Sequence, residues 1–124
     1  MLSKISQVPL LVKSQDDALK FYKKLGFVVR TDNKTEKKRS LTLNLPGNKD
    51  IELALIHAET ADELLLVGKQ SFSIESTEFQ KDYEVMKTLG IKITEQPMIQ
   101  SWGMSMGFED LYGNGIHVCQ KTRR

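Results

Sequence analysis

The feature that most constrains the fold is a two-fold internal repeat. The segment KKLGFVV (23–29) recurs in form as KTLGIKI (87–93), each time where an amphipathic helix gives way to a strand at a Leu-Gly pair. Around both segments the residue pattern predicts one strand before the helix and three strands after it. Repetition of a whole supersecondary unit indicates a chain built from two similar modules. An accidental likeness between two α+β stretches is the alternative.

The first half of the chain predicts the order strand, helix, strand, strand, strand. Residues 5–12 are rich in β-forming residues and alternate in polarity, as strands do. Ser14 is suited to cap the helix that follows, and Gly26 is suited to end that helix in a left-handed conformation. Three further strands are predicted at 27–33, 39–47 and 50–57.

The second half repeats this order. Residues 69–74 predict a strand, and residues 76–90 predict a helix that Ser76 or Thr77 caps. The last three strands are predicted at 91–93, 100–110 and 115–120, of which the second is the longest. The two modules would span about residues 1–58 and about residues 68–124.

Each predicted sheet has one face that covers its helix and one that does not. The second face is too polar for a dry core, yet it also carries small and apolar side chains. Two such curved faces opposed would enclose a cleft in which polar groups converge on mostly apolar walls. We therefore predict an α+β fold of two tandem βαβββ modules, whose curved mixed sheet surrounds a cleft. The residues assigned to this second face are Gln7, Pro9, Leu11, Thr42, Asn44, Glu52, Ala54, Lys69, Ser71, Ser73, Ser105, Glu109, His117 and Cys119.

Composition excludes several classes of protein. The net charge of +2 is too small to indicate nucleic acid as a partner, and no apolar run approaches the ~20 residues that span a bilayer. Cys119 is the only cysteine, so we expect no intrachain disulfide, no cysteine-based zinc site and a cytoplasmic location. Basic residues cluster at 33–40 and 121–124, which predicts a solvated turn and a tail, with phosphate binding as the alternative.

The chain resembles the vicinal oxygen chelate superfamily, the group of glyoxalase I, bleomycin-resistance proteins and extradiol dioxygenases. The resemblance covers nearly the whole chain, and its carriers are VPLLVKSQDDALKFYKKLGFVV, DIELAL, GKQSFSIES and the WG…GFEDLYGNGIHV end. The family's usual turn is Asp-Pro-x-Gly-Asn; here Leu111 replaces the proline, while Asp110, Gly113 and Asn114 remain. The resemblance implies paired modules around a U-shaped cleft, and a homodimer.

The resemblance also implies where a divalent metal would bind. Members that use a metal take ligands from positions that correspond here to Gln7, Glu52, Lys69 and His117. A lysine ammonium has three donors and no lone pair, so Lys69 is not a plausible ligand at neutral pH. Gln7, Glu52 and His117 could still hold Mn²⁺, Fe²⁺ or Zn²⁺. The competing hypothesis places a Lys69–Glu52 ion pair where the metal would be, and it favours a cleft without a cofactor.

Two residues are candidates for acid–base catalysis without a metal. His117 is one because histidine titrates near neutral pH, and Glu52 is the other because it would face the cleft. A structural role for His117 is the alternative. Tyr112 is expected to help hold a ligand. The predicted ligand-binding residues of the cleft are Gln7, Thr42, Asn44, Glu52, Lys69, Ser71, Trp102, Ser105 and His117.

The first functional prediction is a protein of the bleomycin-resistance type that binds a small molecule without a metal. The second is a metal-dependent lyase, isomerase or dioxygenase of the glyoxalase or dioxygenase type, in which the ion would polarise vicinal oxygens of the substrate. The third is a non-catalytic domain that binds a partner. The predicted partners are a small-molecule ligand and a second copy of the chain, with no nucleic acid and no membrane.

Overall fold

The computed structural model describes residues 1–122 of the 124, so Arg123 and Arg124 of the predicted basic tail lie outside the described residues. The chain divides into two compact units, with the boundary between Val67 and Gly68. We call them the first unit and the second unit. Each contains one four-stranded mixed sheet.

The first unit has a sheet of strand order β1-β4-β3-β2. In this sheet β3 is antiparallel to both of its neighbours, β2 and β4, whereas β1 runs parallel to β4. The parallel pair needs a crossover connection, and α1 opens that crossover. The elements are β1 (Gln7–Val12), α1 (Gln15–Lys24), β2 (Val28–Lys34), β3 (Arg39–Leu45), β4 (Asn48–His57) and α2 (Ala61–Leu66).

The second unit repeats this connectivity with strand order β5-β8-β7-β6. Its β5 runs parallel to β8, and its other neighbouring strands are antiparallel. The prediction of two βαβββ modules is therefore confirmed. That their faces enclose one cleft stays a prediction, as do the predicted module boundaries. The elements are β5 (Ser71–Glu75), α3 (Phe79–Thr88), β6 (Ile93–Gln100), β7 (Gly103–Glu109) and β8 (Gly115–Lys121).

The helix α1 forms where the sequence predicts it. The Ser14 hydroxyl accepts from the Asp17 amide at 3.1 Å and so satisfies one of the free N–H groups of the first turn. Gly26 follows the helix at φ 103°, a conformation that glycine adopts without strain. On its inner side the helix buries Ala18 and Tyr22, which lie four residues apart and so share one face of the helix.

Each unit has a core of alternating aliphatic side chains beneath its helix. Burying one such side chain stabilises the fold by ~1.5–3 kcal/mol. In the second unit, the buried Phe79 and Met86 of α3 accompany the sheet residues. The buried sheet residues are Leu10, Val12, Leu41, Leu43, Leu53 and Leu55 in the first unit, and Met106, Phe108, Ile116 and Val118 in the second.

Some elements differ from the sequence prediction. The short helix α2 was not predicted, although Thr60 and Glu63 form a complete capping box at its start. The N-cap of α3 is Glu78 rather than Ser76 or Thr77. The Ser76 hydroxyl instead accepts from the Glu78 amide and donates to Asp82.

The strand β6 is also longer than its predicted three residues, since it continues through Pro97 to Gln100. Proline is tolerated there because β6 is an edge strand of its sheet. None of the helices in the described part of the chain is long and apolar enough to cross a membrane.

Candidate functional site: the open faces of the two sheets

In the first unit, the sheet face turned away from α1 carries a ladder of small and polar residues, which we call the first open face. The strand register places Gln7 opposite Glu52, and Ala54 between Pro9 and Thr42. Paired residues on neighbouring strands point to the same face of a sheet. The structure thus brings together the side chains of Gln7, Glu52 and Thr42 that the sequence assigns to ligand binding. Their role as a binding site stays a proposal.

Arg30 joins this face because of a β-bulge. The register of β2 against β3 shifts between Val29 and Thr31, and the bulge leaves Arg30 as the extra residue. Its Nε lies 3.7 Å from Oε2 of Glu52 on β4. Since β3 lies between β2 and β4, the Arg30 side chain reaches across β3. Within the first unit, the ion-pair partner of Glu52 is Arg30. An ion pair between Lys69 and Glu52 would join the two units, and it stays a prediction.

Two polar atoms on the first open face are buried without a hydrogen-bond partner in the described residues. They are the hydroxyl oxygen of Thr42 and the amide nitrogen of Asn44, in residues that are 9% and 4% exposed. An unpaired buried polar atom costs ~1–3 kcal/mol, so native proteins contain few. Both atoms therefore have hydrogen-bonding capacity that no described residue uses.

A concave region of about 830 Å³ adjoins this face. It lies where β3 and β4 separate beyond the Thr42–Ala54 pair. The side-chain amide of Gln15 fills the gap between the strands, because its Nε2 donates to the Arg39 carbonyl at 3.1 Å and to the Leu55 carbonyl at 2.8 Å. The volume lies within the range of small-molecule sites. Most of its wall comes from the hairpin residues 34–40 and from residues 54–57, and Thr42 and Gln7 contribute to it, whereas Asn44 does not.

Arg39 fixes the hairpin that borders this region. Its guanidinium donates to both carboxylate oxygens of Asp32, each at 2.9 Å, and to Asp16 at 2.6 Å. These charge-assisted bonds lower the pKa of Asp16 and of Asp32 below their ordinary value. The same bonds raise the pKa of Arg39. Arg39 is therefore a structural cation rather than a free one.

The face of the second sheet turned away from α3, which we call the second open face, carries His117. The register places Ser73 on one side of His117 and Gly107 on the other, with Glu95 beyond Gly107. The Nδ1 atom of His117 lies 3.2 Å from Oε1 of Glu95. A carboxylate at one ring nitrogen orients the imidazole and leaves the other nitrogen available. More than half of each side chain is exposed.

Gly107 makes this contact possible. A Cβ atom at position 107 would lie 2.6 Å from Oε1 of Glu95 and 3.3 Å from Cβ of Glu95. The first distance is too short for any real side chain. The missing side chain on β7 therefore gives the Glu95 carboxylate the space through which it reaches His117 from β6.

The remaining predicted residues of the second unit are dispersed. Lys69 precedes β5, so the register sets Ser73 rather than Lys69 opposite His117. Ser71 is opposite Gly115. Ser105 accepts a hydrogen bond from Gln100 at 3.3 Å and lies opposite Cys119, a free and partly buried thiol. Trp102 lies in the β6–β7 turn and is 46% exposed.

Tyr112 lies in the β7–β8 turn, which is built as a structural unit. Asp110 accepts from the backbone amides of Tyr112 and Asn114, and the Asn114 side chain donates to Asp110 at 2.8 Å. Asn114 also accepts from the Gln70 amide. Asp110 and Asn114, which the turn shares with the family motif, thus stabilise the turn and connect it to the segment before β5.

Two residues of the open faces were missed by sequence reasoning. Arg30 falls where the alternation of the second strand breaks, and such a break is the only signal of a bulge. Glu95 lies between two predicted strands, and no sequence pattern placed it beside His117.

In the first unit, the surroundings of Glu52 do not suit a resident metal of the kind the superfamily resemblance implies. No group of three or more His, Cys, Asp or Glu side chains that could hold a metal ion occurs in residues 1–122. The carboxylate of Glu52 already faces the Arg30 guanidinium, whose positive charge opposes a divalent ion beside it.

The comparison with protein families establishes the class of the protein. Residues 4–118 match the family model described as the glyoxalase/bleomycin resistance protein/dioxygenase superfamily. The chain belongs to this superfamily. The resemblance seen in the sequence is therefore confirmed.

Two relatives share nearly a third of the sequence. An uncharacterized protein of Shewanella frigidimarina (strain NCIMB 400) is 31% identical over 122 residues, which are 92% of this chain and 90% of the relative. The uncharacterized protein YurT of Bacillus subtilis (strain 168) is 32% identical over 126 residues, 95% of this chain and 99% of the relative.

A solved structure confirms the fold. The chain is similar to TnmS3, an antibiotic binding protein from Streptomyces sp. CB03234, with a TM-score of 0.85 and 22% sequence identity. The match covers 98% of each chain. At this identity the likeness shows the fold and not the ligand.

Proposed function

We propose that the protein binds a small organic molecule on the first open face, without a resident metal. The observation that carries this proposal is the pair of buried, unpartnered polar atoms of Thr42 and Asn44. A ligand that forms hydrogen bonds with both atoms would remove the free-energy cost of leaving them buried and unpaired. A concave region of about 830 Å³, whose wall includes Thr42, adjoins this face.

Two further observations support a binding role. The face combines small apolar residues, such as the buried Ala54, with a few polar groups, which is the usual make-up of small-molecule sites. TnmS3, which has the same fold, is an antibiotic binding protein. We propose a binding function of the same kind for this chain.

The proposal is tested by screening the purified protein against a broad small-molecule library with thermal melts. A ligand at ~100 times its Kd stabilises the native state by ~2.7 kcal/mol, a shift of several degrees. Hits are then titrated by calorimetry against the wild-type protein and Asn44→Leu. We expect Asn44→Leu to weaken binding at least tenfold. Hits that bind both proteins equally would refute the first open face as the site.

A second candidate function is acid–base catalysis on a bound molecule, centred on the second open face. The observation that favours it is the 3.2 Å contact between His117 and Glu95. An imidazole oriented by a carboxylate is a common general base. Turnover of an identified ligand that falls at least 100-fold in His117→Asn would support this role, and unchanged turnover would exclude it.

We further propose that the protein is a cytoplasmic homodimer. The single partly buried Cys119 suits a reducing compartment. Exposed apolar side chains suit an interface with a second copy: Leu64, Leu65 and Leu66 on α2, and Met98, Ile99 and Trp102 on and beside β6. Light scattering coupled to gel filtration should give twice the mass of the chain, and a monomer at micromolar concentration would contradict the dimer.

A further inference from the structure

Several hydrogen-bond donors lie close together on the first open face. Arg30 contributes a guanidinium on a side chain that is 58% exposed, Asn44 contributes an amide nitrogen without a partner in the described residues, and Thr42 contributes a hydroxyl without one. A guanidinium has five N–H donors and no acceptor. Arg30 forms an ion pair with the carboxylate of Glu52.

These donors lie on one short stretch of the sheet. Asn44 is opposite Val28 on β2, and Thr42 is opposite Thr31, so Arg30 lies between the two positions on the neighbouring strand. The Arg30 side chain reaches Glu52 on β4 only by crossing β3, the strand that carries Thr42 and Asn44. The guanidinium and both unpartnered atoms therefore belong to the same side of the same segment.

We infer that this segment binds the carboxylate of an organic acid, an inference that rests on the proposed function. The ligand carboxylate replaces Glu52 as the partner of Arg30, and its oxygens accept from Asn44 and Thr42. The ligand thus provides hydrogen-bond partners for the two atoms that are buried without partners in the free protein. A carboxylate is suited to this task because its two oxygens together accept up to four hydrogen bonds.

Glu52 acts in this arrangement as an internal competitor. Its contact with Arg30 is long, at 3.7 Å, and more than half of the Arg30 side chain is exposed. Partly exposed ion pairs of this kind contribute little to stability. Replacement of the Glu52 carboxylate by the ligand carboxylate at Arg30 therefore costs little free energy. The ligand also forms hydrogen bonds with Asn44 and Thr42, which Glu52 does not.

The specificity follows from charge. An uncharged carbonyl compound can accept from Asn44, but it leaves Arg30 with Glu52 and gains no charge-assisted bond. Hydrogen bonds that involve a charged partner are worth ~1.5–3 kcal/mol, which corresponds to a factor of about ten or more in affinity. The site should therefore prefer an acid over its own amide by about tenfold.

The test uses pairs of matched probes with the full chain. Benzoate is compared with benzamide, and phenylacetate with phenylacetamide, by calorimetry and by NMR titration of the Asn44 side-chain NH₂ group. The variants are Arg30→Gln and Glu52→Gln. The controls are Lys4→Gln and Asp50→Asn, because Lys4 and Asp50 form another exposed ion pair of the same unit, at 3.8 Å, and these variants make the same charge changes.

We expect the acids to bind about tenfold more tightly than the amides and to shift the Asn44 resonance. Glu52→Gln should raise the affinity for the acids several-fold, Arg30→Gln should abolish the preference, and both controls should behave as the wild-type protein does. Equal affinity for acids and amides would overturn the carboxylate inference. So would hits only among uncharged compounds in the library screen, although the proposed function would then stand; a library without any hit would overturn both.

Discussion

His117 on β8 lies 3.2 Å from Glu95 on β6, although the strand β7 separates the two residues. The contact exists because β7 presents Gly107 at this point, where a Cβ atom would lie 2.6 Å from the Glu95 carboxylate. The second open face thus contains a histidine with a defined orientation, at the position that the family resemblance assigns to a metal ligand.

The first prediction concerns Gly107. Gly107→Ala should displace the Glu95 carboxylate from His117, because the added methyl group occupies the space of the Glu95 side chain. At one fixed pH, the NMR chemical shifts of the His117 ring should then change from their wild-type values in Gly107→Ala as they do in Glu95→Gln. If the ring shifts of Gly107→Ala equal those of the wild-type protein, the glycine does not create the contact. Gly115→Ala is a suitable control, since no atom lies within 4 Å of the Cβ position there.

The second prediction concerns the stability of the free protein. Thr42→Val removes a buried hydroxyl that has no partner, so the variant should be equally stable or about 1 kcal/mol more stable in urea unfolding. The same variant should bind ligand less tightly. A residue that weakens stability and strengthens binding is typical of a functional site. A loss of more than about 1 kcal/mol in the free variant would show that Thr42 has a structural partner.

The third prediction concerns Gln15. Its side chain donates to the carbonyls of Arg39 and Leu55 where β3 and β4 separate. Gln15→Leu keeps the size of the side chain but leaves both carbonyls without this donor, so we expect a loss of ~1–3 kcal/mol in the free energy of unfolding. Gln80→Leu is the control, because Gln80 donates only to Glu84 on the exposed side of α3. Equal stability of the two variants would contradict the bridging role.

The fourth prediction concerns acid. The Arg39 guanidinium lowers the pKa of Asp16 and Asp32 in the folded protein. A carboxylate with a lowered pKa stabilises the folded state above its unfolded pKa of ~3.9, and this contribution is lost as the pH falls through the folded value. The free energy of unfolding of the wild-type protein should therefore fall as the pH drops below about 4, and that of Asp32→Asn should fall less steeply over the same range. Parallel pH profiles for the two proteins would contradict the assignment.

Much of the fold follows from local sequence patterns. Alternation at 39–45 and the cap at Ser14 each predict one element, and the structure contains both. The helix α2 was missed because it is only six residues long and buries none of its side chains. Without a buried apolar face, a helix has no periodic signal in the sequence.

The candidate site was less accessible to sequence reasoning. Faces follow from alternation, so Thr42 and Asn44 could be assigned to the open face before the structure. Arg30 and Glu95 could not, because each reaches its partner across an intervening strand. The register of strands and the position of a bulge depend on packing and turn geometry, which local patterns do not record.

The measurement that tests the central claim most directly is a calorimetric titration of one screened ligand into the wild-type protein, Asn44→Leu and Asn33→Leu. Asn44 is buried on the first open face, whereas Asn33 is an exposed residue of the same unit. We expect Asn44→Leu to lose at least tenfold in affinity while it stays folded, and Asn33→Leu to bind as the wild-type protein does. Unchanged affinity in Asn44→Leu would contradict the central claim.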